Sequence, residues 1–130
     1  MTTQRDRNIR LAQAALDWNR KHLRHNSRLT KELVEECFGR SFVVEPNGRH
    51  YRADPVLYLE FPNGMKSSMA GIEYQVLNTV ADGEGVVLDM AVQIARLNGE
   101  QESFIAMLLM RFDEHGKLSL WKELYLPRPA

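Results

Sequence analysis

The sequence VVLDMAVQIARLNGEQESFIAMLLMRFDEHGKLSLWKELY spans residues 86–125 and carries the strongest structural signal in this chain. Apolar residues alternate with other side chains through three runs, and alternation with period two is typical of β-strands. Asn98-Gly99 separates two of the runs and predicts a hairpin in which both central residues have positive φ. With one strand before them, these runs predict an antiparallel meander. The predicted strands are Ile72–Val80, Val86–Leu97, Ser103–Phe112 and Leu118–Leu126.

The first part of the chain predicts helices. Apolar residues recur at spacings of three and four between residues 5 and 24, which is the pattern of an amphipathic helix. A second, short helix is expected to follow, with Ser27 or Thr30 as its N-cap. We expect Gly39 to end that helix, because glycine readily adopts the left-handed conformation that closes a helix.

A short strand and a short helix are predicted before the meander. Ser41–Glu45 has strand character and is stopped by Pro46-Asn47-Gly48. Asp54-Pro55 is typical of a helix start, and the helix Val56–Phe61 is expected to be brief because a second Pro-Asn-Gly sequence follows it. Helices first and strands afterwards, within one domain over 1–130, indicate the α+β class.

Composition and charge exclude several classes of protein. The chain has 130 residues, of which 44% are hydrophobic and 26% charged, and its formal net charge is zero. No apolar run approaches the roughly 18 residues that a membrane helix needs. The first residues contain no apolar signal core, so we expect a cytoplasmic protein that does not enter membranes. Cys37 is the single cysteine, which excludes an internal disulfide, and we expect no metal ion and no cofactor.

The charge is distributed unevenly along the sequence. Residues 1–31 contain eight basic and two acidic side chains, a net charge of +6, and the remainder carries −6. Such a basic segment can contact phosphates, complement the acidic remainder or form a solvated face. Because no aromatic residues are interleaved with the basic ones and no binding motif is present, nucleic-acid binding is not expected.

The strand patterns also predict a partner. One face of the strand 86–97 is apolar throughout, and both faces of the strand 103–112 are apolar. A sheet with two apolar faces must be covered on both sides. The N-terminal helices can cover one face, so we expect a homodimer through the other, outer face. The alternative is that this face is an exposed apolar surface.

The segment Met110–Leu118, MRFDEHGKL, followed by Trp121-Lys122-Glu123-Leu124-Tyr125, resembles the nuclear transport factor 2-like superfamily. That superfamily includes the ketosteroid isomerases and the SnoaL-like polyketide cyclases, and the sequence MRFDEHG is similar to the isomerase branch. The resemblance implies a cystatin-like α+β cone in which a curved antiparallel sheet wraps around the N-terminal helices. It also implies an apolar pocket inside the cone and a dimer through the outer face of the sheet.

The resemblance assigns expected roles to three positions. In ketosteroid isomerases an Asp base moves a proton, while a Tyr and a protonated Asp stabilise the enolate. The base position falls on Glu45, the position of the second Asp falls on Leu108, and the Tyr falls near Trp18. Leucine cannot donate a hydrogen bond, and an indole differs from a phenol in position and acidity. Glu45 is therefore the expected catalytic base, whereas standard steroid isomerisation is not expected.

The same resemblance implies which side chains contact a ligand. Asp89 and Gln93 are expected to be the few polar groups in a mostly apolar cavity, which is the usual composition of a site for a small hydrophobic molecule. Alternatively, Asp89 faces solvent, Glu123 forms an ion pair with a neighbour, and Phe104 and Trp121 are plain core residues. The predicted ligand-binding residues are Trp18, Asp89, Gln93, Phe104, Leu108, Met110, Trp121, Glu123 and Tyr125.

Two functions follow as hypotheses. The first is a ketosteroid isomerase-like protein that catalyses isomerisation or cyclisation of a small hydrophobic molecule by proton transfer. If Glu45 shares an apolar cavity with Asp89 or Glu123, the pKa of one carboxyl is raised and a general base near neutral pH results. The second is a non-catalytic ligand-binding or dimerisation module, in which aromatic side chains fill the cavity. A fold alone does not distinguish the two.

Overall fold

A computed structural model of the chain describes residues 3–128. The helices are α1 (Gln4–His22), α2 (Lys31–Cys37), α3 (Pro55–Tyr58) and α4 (Glu60–Lys66). The strands are β1 (Phe38–Pro46), β2 (Tyr51–Ala53), β3 (Met69–Ala81), β4 (Val86–Arg96), β5 (Gln101–Phe112) and β6 (Leu118–Pro127).

The strands form one six-stranded sheet in the order β2-β1-β6-β5-β4-β3. Strands β3 to β6 form the predicted antiparallel meander, and the α+β class is confirmed. The sheet is mixed rather than wholly antiparallel, because β1 enters it from α2 and runs parallel to β6. Register shifts interrupt the β1–β6, β3–β4 and β5–β6 pairings. Such irregularities bend and twist strands, which lets the sheet curve around the helices.

The hydrophobic core lies between α1 and the concave face of the sheet. Alternate residues of β4 and β5 pack there against the apolar side of α1. Fully or nearly fully buried members include Ala12, Leu16, Val86, Leu88, Met90, Leu108 and Met110. This arrangement covers one face of the sheet with helices and leaves the convex face to solvent, where several large apolar side chains are exposed.

The connection from α1 to β1 differs from the prediction at one position. Thr30 is the N-cap of α2 and its Oγ1 accepts a hydrogen bond from Leu33 N at 3.3 Å, whereas the Ser27 hydroxyl donates to the carbonyls of His22 and Arg24. Gly39 does not end α2 in a left-handed conformation but lies within β1. A Cβ at Gly39 would come within 3.0 Å of an Asp113 carboxylate oxygen. Close packing, rather than a turn, therefore explains this glycine.

The helical segment before β3 is longer than predicted. Asp54 Oδ1 accepts hydrogen bonds from Val56 N and Leu57 N, both at 2.9 Å, and begins α3 as expected. Helix α4 then continues through Pro62, where the sequence predicted an end. Proline is tolerated there because Pro62 lies in the first turn of α4, where backbone N–H groups have no intrahelical partner.

The Asn98-Gly99 hairpin is confirmed, but its turn type differs. Of the two turn residues, Gly99 alone has positive φ, at 88°. Gly99 N donates to Arg96 O at 3.1 Å and Arg96 N donates to Glu100 O at 2.9 Å. These bonds describe a type I turn followed by a left-handed glycine, which is the common geometry of slightly longer hairpins.

Part of the basic N-terminal segment complements the acidic remainder of the chain. The Arg20 guanidinium contacts Asp17 at 2.7 Å and Glu73 at 2.6 Å, and it donates to Tyr74 O at 2.8 Å. Arg7 donates to Asp113 O. The bonds to Glu73, Tyr74 and Asp113 fasten α1 to β3 and to the turn that follows β5.

No helix within residues 3–128 is both long enough and apolar enough to cross a membrane. The cytoplasmic location expected from the N-terminal sequence stays a prediction.

Candidate functional site

A cavity of about 300 Å³ lies between the concave face of the sheet and the helices. Its aromatic lining consists of Tyr58, Tyr74, Phe104, Trp121 and Tyr125. Its aliphatic lining includes Leu23, Val44, Ile72, Val92 and Ile94. Its polar side chains are Asn19, Arg96 and Glu123. A largely apolar cavity with a few polar groups is the usual composition of a small-molecule site.

Strand alternation positions the lining residues. On β6, Trp121, Glu123 and Tyr125 point inward because they are two residues apart, and Lys122 and Leu124 point outward. Phe104 on β5 faces the cavity in the same way. The sequence therefore predicted the location of these inward-facing residues correctly, and their role in ligand binding stays a prediction.

Glu123 is the acidic group of the cavity. Its strand neighbours are Leu108 on β5 and Pro46 on β1, so apolar groups flank the carboxyl. Burial raises the pKa of Glu123 to about 7, although a hydrogen bond from Trp121 Nε1 to Glu123 Oε1, at 3.4 Å, opposes the shift. No lysine, arginine or histidine within the described part of the chain forms an ion pair with Glu123. A carboxyl that titrates near neutral pH can both accept and donate a proton.

Asn19 and Tyr74 form a buried hydrogen bond between α1 and β3. Asn19 Nδ2 donates to Tyr74 Oη at 3.1 Å. Burial raises the pKa of the Tyr74 phenol, and the negative charge of Glu123 raises it further. Tyr74 is thus a neutral hydroxyl whose oxygen is occupied by Asn19, and no side chain or backbone acceptor in residues 3–128 receives its hydrogen. That hydrogen is available to an acceptor on a ligand.

Tyr58 brings a second phenol to the cavity. Its ring packs against Phe38 and Phe42, with ring centroids 4.7 and 5.2 Å apart. Burial raises the pKa of Tyr58, and the negative charge of Glu123 acts in the same direction. The short helix α3, capped by Asp54, holds this ring against the two phenylalanines of β1.

Glu45 does not line the cavity, contrary to the position expected of a catalytic base, and its role stays a prediction. Val44 and Pro46 line the cavity, and the residue between them must project from the opposite face of β1. Glu45 Oε1 lies 3.0 Å from His50 Nδ1, and Glu45 Oε2 lies 3.9 Å from Lys122 Nζ. These contacts hold Glu45 on the face of the sheet opposite to the cavity.

Asp89 and Gln93 were also predicted on the wrong face. Val92 and Ile94 of β4 line the cavity, which places the alternate residues on the convex face. Asp89 accepts a hydrogen bond from Asn78 Nδ2 at 2.8 Å, and Gln93 is exposed. The uniformly apolar face of β4 belongs to the core, and the mixed face is the outer one. Glu45 and Asp89 therefore share no cavity with Glu123.

Three further predicted ligand residues belong to the core. Leu108 and Met110 are fully buried in the packed interface between α1 and the sheet. Trp18 is also buried, and its Nε1 donates to Leu33 O at 3.1 Å, which ties α1 to α2. None of the three lines the cavity. The indole hydrogen of Trp18 is used inside the fold and does not replace a catalytic phenol.

The sequence did not identify Asn19, Tyr58, Tyr74 or Arg96 as site residues. Tyr74 is two residues from Ile72, and this alternation could have placed both on one strand face. Asn19 interrupts the apolar side of α1, and a polar residue on a buried helix face requires a partner. No local sequence feature marks Tyr58 or Arg96.

Residues 3–128 form no evident metal site, and their cysteine is not activated as a nucleophile. No group of three or more His, Cys, Asp or Glu side chains within the described residues could hold a metal ion. Burial raises the pKa of the Cys37 thiol to about 12, so the thiolate required of a nucleophile or ligand is not formed at neutral pH.

A curved sheet that wraps around an N-terminal helix and encloses an apolar pocket defines the nuclear transport factor 2-like fold. Solved structures confirm this fold for the chain. The model resembles an LEH-like epoxide hydrolase of M. tuberculosis, with a TM-score of 0.75 and 18% identity over 97% of this chain and 83% of that one.

Two other solved structures are similar. A protein from Shewanella denitrificans named as a candidate SnoaL-like polyketide cyclase has a TM-score of 0.74 and 12% identity, and the match covers 92% of this chain and 90% of that chain. A nuclear transport factor 2-like protein from Anabaena variabilis has a TM-score of 0.73 and 13% identity, covering 100% of this chain and 96% of the other. No protein-family model and no curated protein matches the sequence. These likenesses confirm the fold implied by the MRFDEHG resemblance.

Proposed function

We propose that this chain binds a small apolar molecule in the concave cavity and that Glu123 transfers a proton to or from it. The observation that supports this proposal is the position of Glu123 on the apolar cavity wall, where burial raises its pKa to about 7. General acid–base catalysis is most efficient when the pKa of the catalytic group lies near the working pH. Glu123 thereby takes the role that the sequence assigned to Glu45.

Tyr74 supplies a hydrogen-bond donor for the same reaction. Asn19 occupies the Tyr74 oxygen and directs the hydroxyl hydrogen away from α1. When Glu123 removes a proton from carbon, the bonding electron pair moves onto an electronegative atom of the ligand, and Tyr74 stabilises the charge that develops there. Glu123 then returns the proton at a second atom. This sequence describes an isomerisation. A cyclisation results when the deprotonated carbon instead attacks a carbonyl carbon of the same molecule, the C=O electron pair moves onto oxygen, and Glu123 returns the proton to that oxygen. The neighbour named as a polyketide cyclase supports this class of chemistry.

Nitrobenzisoxazole tests the proposed base without knowledge of the natural substrate. It is a neutral aromatic molecule in which removal of one carbon-bound proton breaks the N–O bond and releases a coloured cyanophenolate. We expect Glu123→Gln to lower kcat/KM at least about a hundredfold, which is the low end for loss of a general base. Glu45→Gln, which changes a carboxylate on the opposite face of the sheet, should react as the wild type does. Equal rates for wild type and Glu123→Gln, with probe binding retained, would favour the non-catalytic binding module instead.

We also propose that two copies of the chain associate through the convex face of the sheet. Ile105 is paired with Leu126, and Met107 with Leu124, across β5 and β6. These four side chains are 46–63% exposed and lie around one shallow groove. A twofold axis would bury the same apolar patch of each copy against the other. The polar Asp89 lies in this patch, where its carboxylate is already bonded to Asn78.

A further inference from the structure

We infer that the ligand of the concave cavity is an apolar molecule that carries one protonated amine, and that its ammonium group pairs with the Glu123 carboxylate. This inference rests on the proposed binding function of the cavity and adds the chemical class of the ligand. It rests on ligand binding and not on the proton transfer, because an ammonium paired with Glu123 stabilises the ionised carboxylate and makes it a weaker base. The inference can therefore fail while the binding function stands.

The charges of the cavity wall are unbalanced. Arg96 lines the cavity, but its Nε donates to the Glu102 carboxylate and its Nη1 donates to Ser68 Oγ at 2.9 Å. The guanidinium is thus neutralised by residues at the rim. Among residues 3–128, Glu123 receives a side-chain hydrogen bond only from Trp121, at 3.4 Å. A carboxylate removed from water without a cationic partner is costly, and a ligand ammonium supplies that partner.

The walls around Glu123 also favour a cation. Aromatic rings from α3, β3, β5 and β6 line the cavity, and Phe104 and Tyr125 meet edge to face at a centroid distance of 5.8 Å. The faces of such rings carry negative electrostatic potential and attract ammonium groups. Val92 and Ile94 of β4 offer an aliphatic wall for the apolar body of the ligand. An aromatic lining with one unpaired carboxylate is a suitable environment for an amine.

Other ligand classes fit the cavity less well. A ligand carboxylate would place a second negative charge beside Glu123, where charge already raises the pKa of Tyr58 and Tyr74. A neutral ligand with an acceptor oxygen satisfies Tyr74 but leaves ionised Glu123 without a counter-charge. An amine satisfies the carboxylate, and an acceptor elsewhere on the same molecule can still bond to Tyr74.

The pairing has a defined pH dependence. The titratable groups that line the cavity with Glu123 are Tyr58 from α3, Tyr74 from β3, Arg96 from β4 and Tyr125 from β6. Burial raises the pKa of Tyr58 and of Tyr74, which moves both phenols further from neutrality. An ammonium group stabilises ionised Glu123, so binding below the pKa of free Glu123, about 7, must expel a proton and is weakened. Affinity should therefore rise with pH through neutrality and fall again when the amine itself loses its proton, near pH 10.

A matched pair of probes tests the inference. We would titrate the full chain calorimetrically with phenylbutylamine and with phenylbutanol, which share an apolar body and differ in the amine. At about pH 8 the amine should bind at least about tenfold more tightly than the alcohol. At about pH 7 its binding should release protons, measured as a difference between buffers with different ionisation enthalpies. Glu123→Gln should abolish the preference for the amine, and Glu45→Gln should retain it.

The outcomes separate the two proposals. Equal affinity for amine and alcohol in the wild type overturns the amine inference and leaves the binding function standing. If neither probe binds and a neutral apolar dye does not bind either, the proposed binding function fails, and the inference fails with it. If Glu123→Gln does not fold, proton release by the wild type decides alone: release supports the pairing and its absence overturns it.

Discussion

Asn19 of α1 donates its side-chain N–H to the hydroxyl oxygen of Tyr74 on β3 at 3.1 Å, and both side chains are buried. This bond connects the helix that fills the cone to the edge strand of the sheet, directly at the wall of the cavity. It therefore links the stability of the fold to the orientation of the proposed hydrogen-bond donor. A buried donor and a buried acceptor that satisfy each other contribute little net energy, but removal of one leaves the other unsatisfied.

Single and double substitutions at this pair should be strongly non-additive. Tyr74→Phe leaves the Asn19 amide buried without its partner, and we expect a loss of about 1–3 kcal/mol in the free energy of unfolding. Asn19→Leu with Tyr74→Phe replaces both polar groups and should recover much of that loss. Urea denaturation of the wild type, both single variants and the double variant measures the coupling. Strict additivity would show that the bond does not form.

Glu123 should make the protein less stable as the pH rises. The folded-state pKa of about 7 exceeds the ordinary value of 4.5, so between these values the folded state binds more protons than the unfolded state. The free energy of unfolding must then fall as the pH rises from about 4.5 to 7, by an amount on the order of 3 kcal/mol. Glu123→Gln should not show this pH-dependent loss, and at pH 8 it should have a higher free energy of unfolding than the wild type.

The comparison with Glu123→Gln is necessary because the titration of His22 changes the stability of the protein with pH in the opposite direction. Burial lowers the pKa of His22, with a further contribution from Lys21. A depressed histidine pKa gives stability that is lost as the pH falls below the ordinary value of 6.5. Urea midpoints of wild type and variant at pH 5 and pH 8 cancel the His22 contribution. An unchanged difference between the two proteins across that range would contradict the raised pKa of Glu123.

A larger side chain on the cavity wall should abolish ligand binding. Ile72 of β3 lines the cavity, and Gln75 of the same strand is exposed. Ile72→Trp places an indole in a space of about 300 Å³ and should weaken binding of Nile red, a neutral apolar dye, at least about tenfold. Gln75→Trp adds the same ring outside the cavity, and this variant should bind the dye with the affinity of the wild type. Fluorescence titration distinguishes them, and equal affinities would mean that the dye binds elsewhere.

Strand alternation explains which parts of the site were predictable. The inward positions of Trp121, Glu123 and Tyr125 followed from period two once one residue was placed. The same rule makes an error of one residue reverse every face. The resemblance placed the base at Glu45, whereas Val44 and Pro46, one position away on either side, line the cavity. On β4, where apolar residues occupy one face and small residues part of the other, alternation defined two faces but not which one met the helices.

Contacts between distant segments explain the remainder. Asn19 and Tyr74 are 55 positions apart, so no local pattern connects them. The parallel pairing of β1 with β6 likewise depends on how the chain crosses from α2 into the sheet. Rules that depend on neighbouring residues alone were reliable where those residues determine the conformation, as at the Asp54 N-cap. They failed at Pro62, because its position within the first turn of α4, not its residue type, determines whether the helix continues.

The convex face of the sheet should hold two copies of the chain together. Met107 is 52% exposed at the centre of the apolar patch, and a lysine there would have to bury its charge in the interface. We expect Met107→Lys to convert a dimer to a monomer, as measured by light scattering after size-exclusion chromatography. Leu57→Lys, on helix α3 and 64% exposed, introduces the same charge away from the patch and should leave the mass at twice that of one chain. A wild-type protein that elutes as a monomer at high micromolar concentration would refute the association, and the apolar patch would then be an exposed surface.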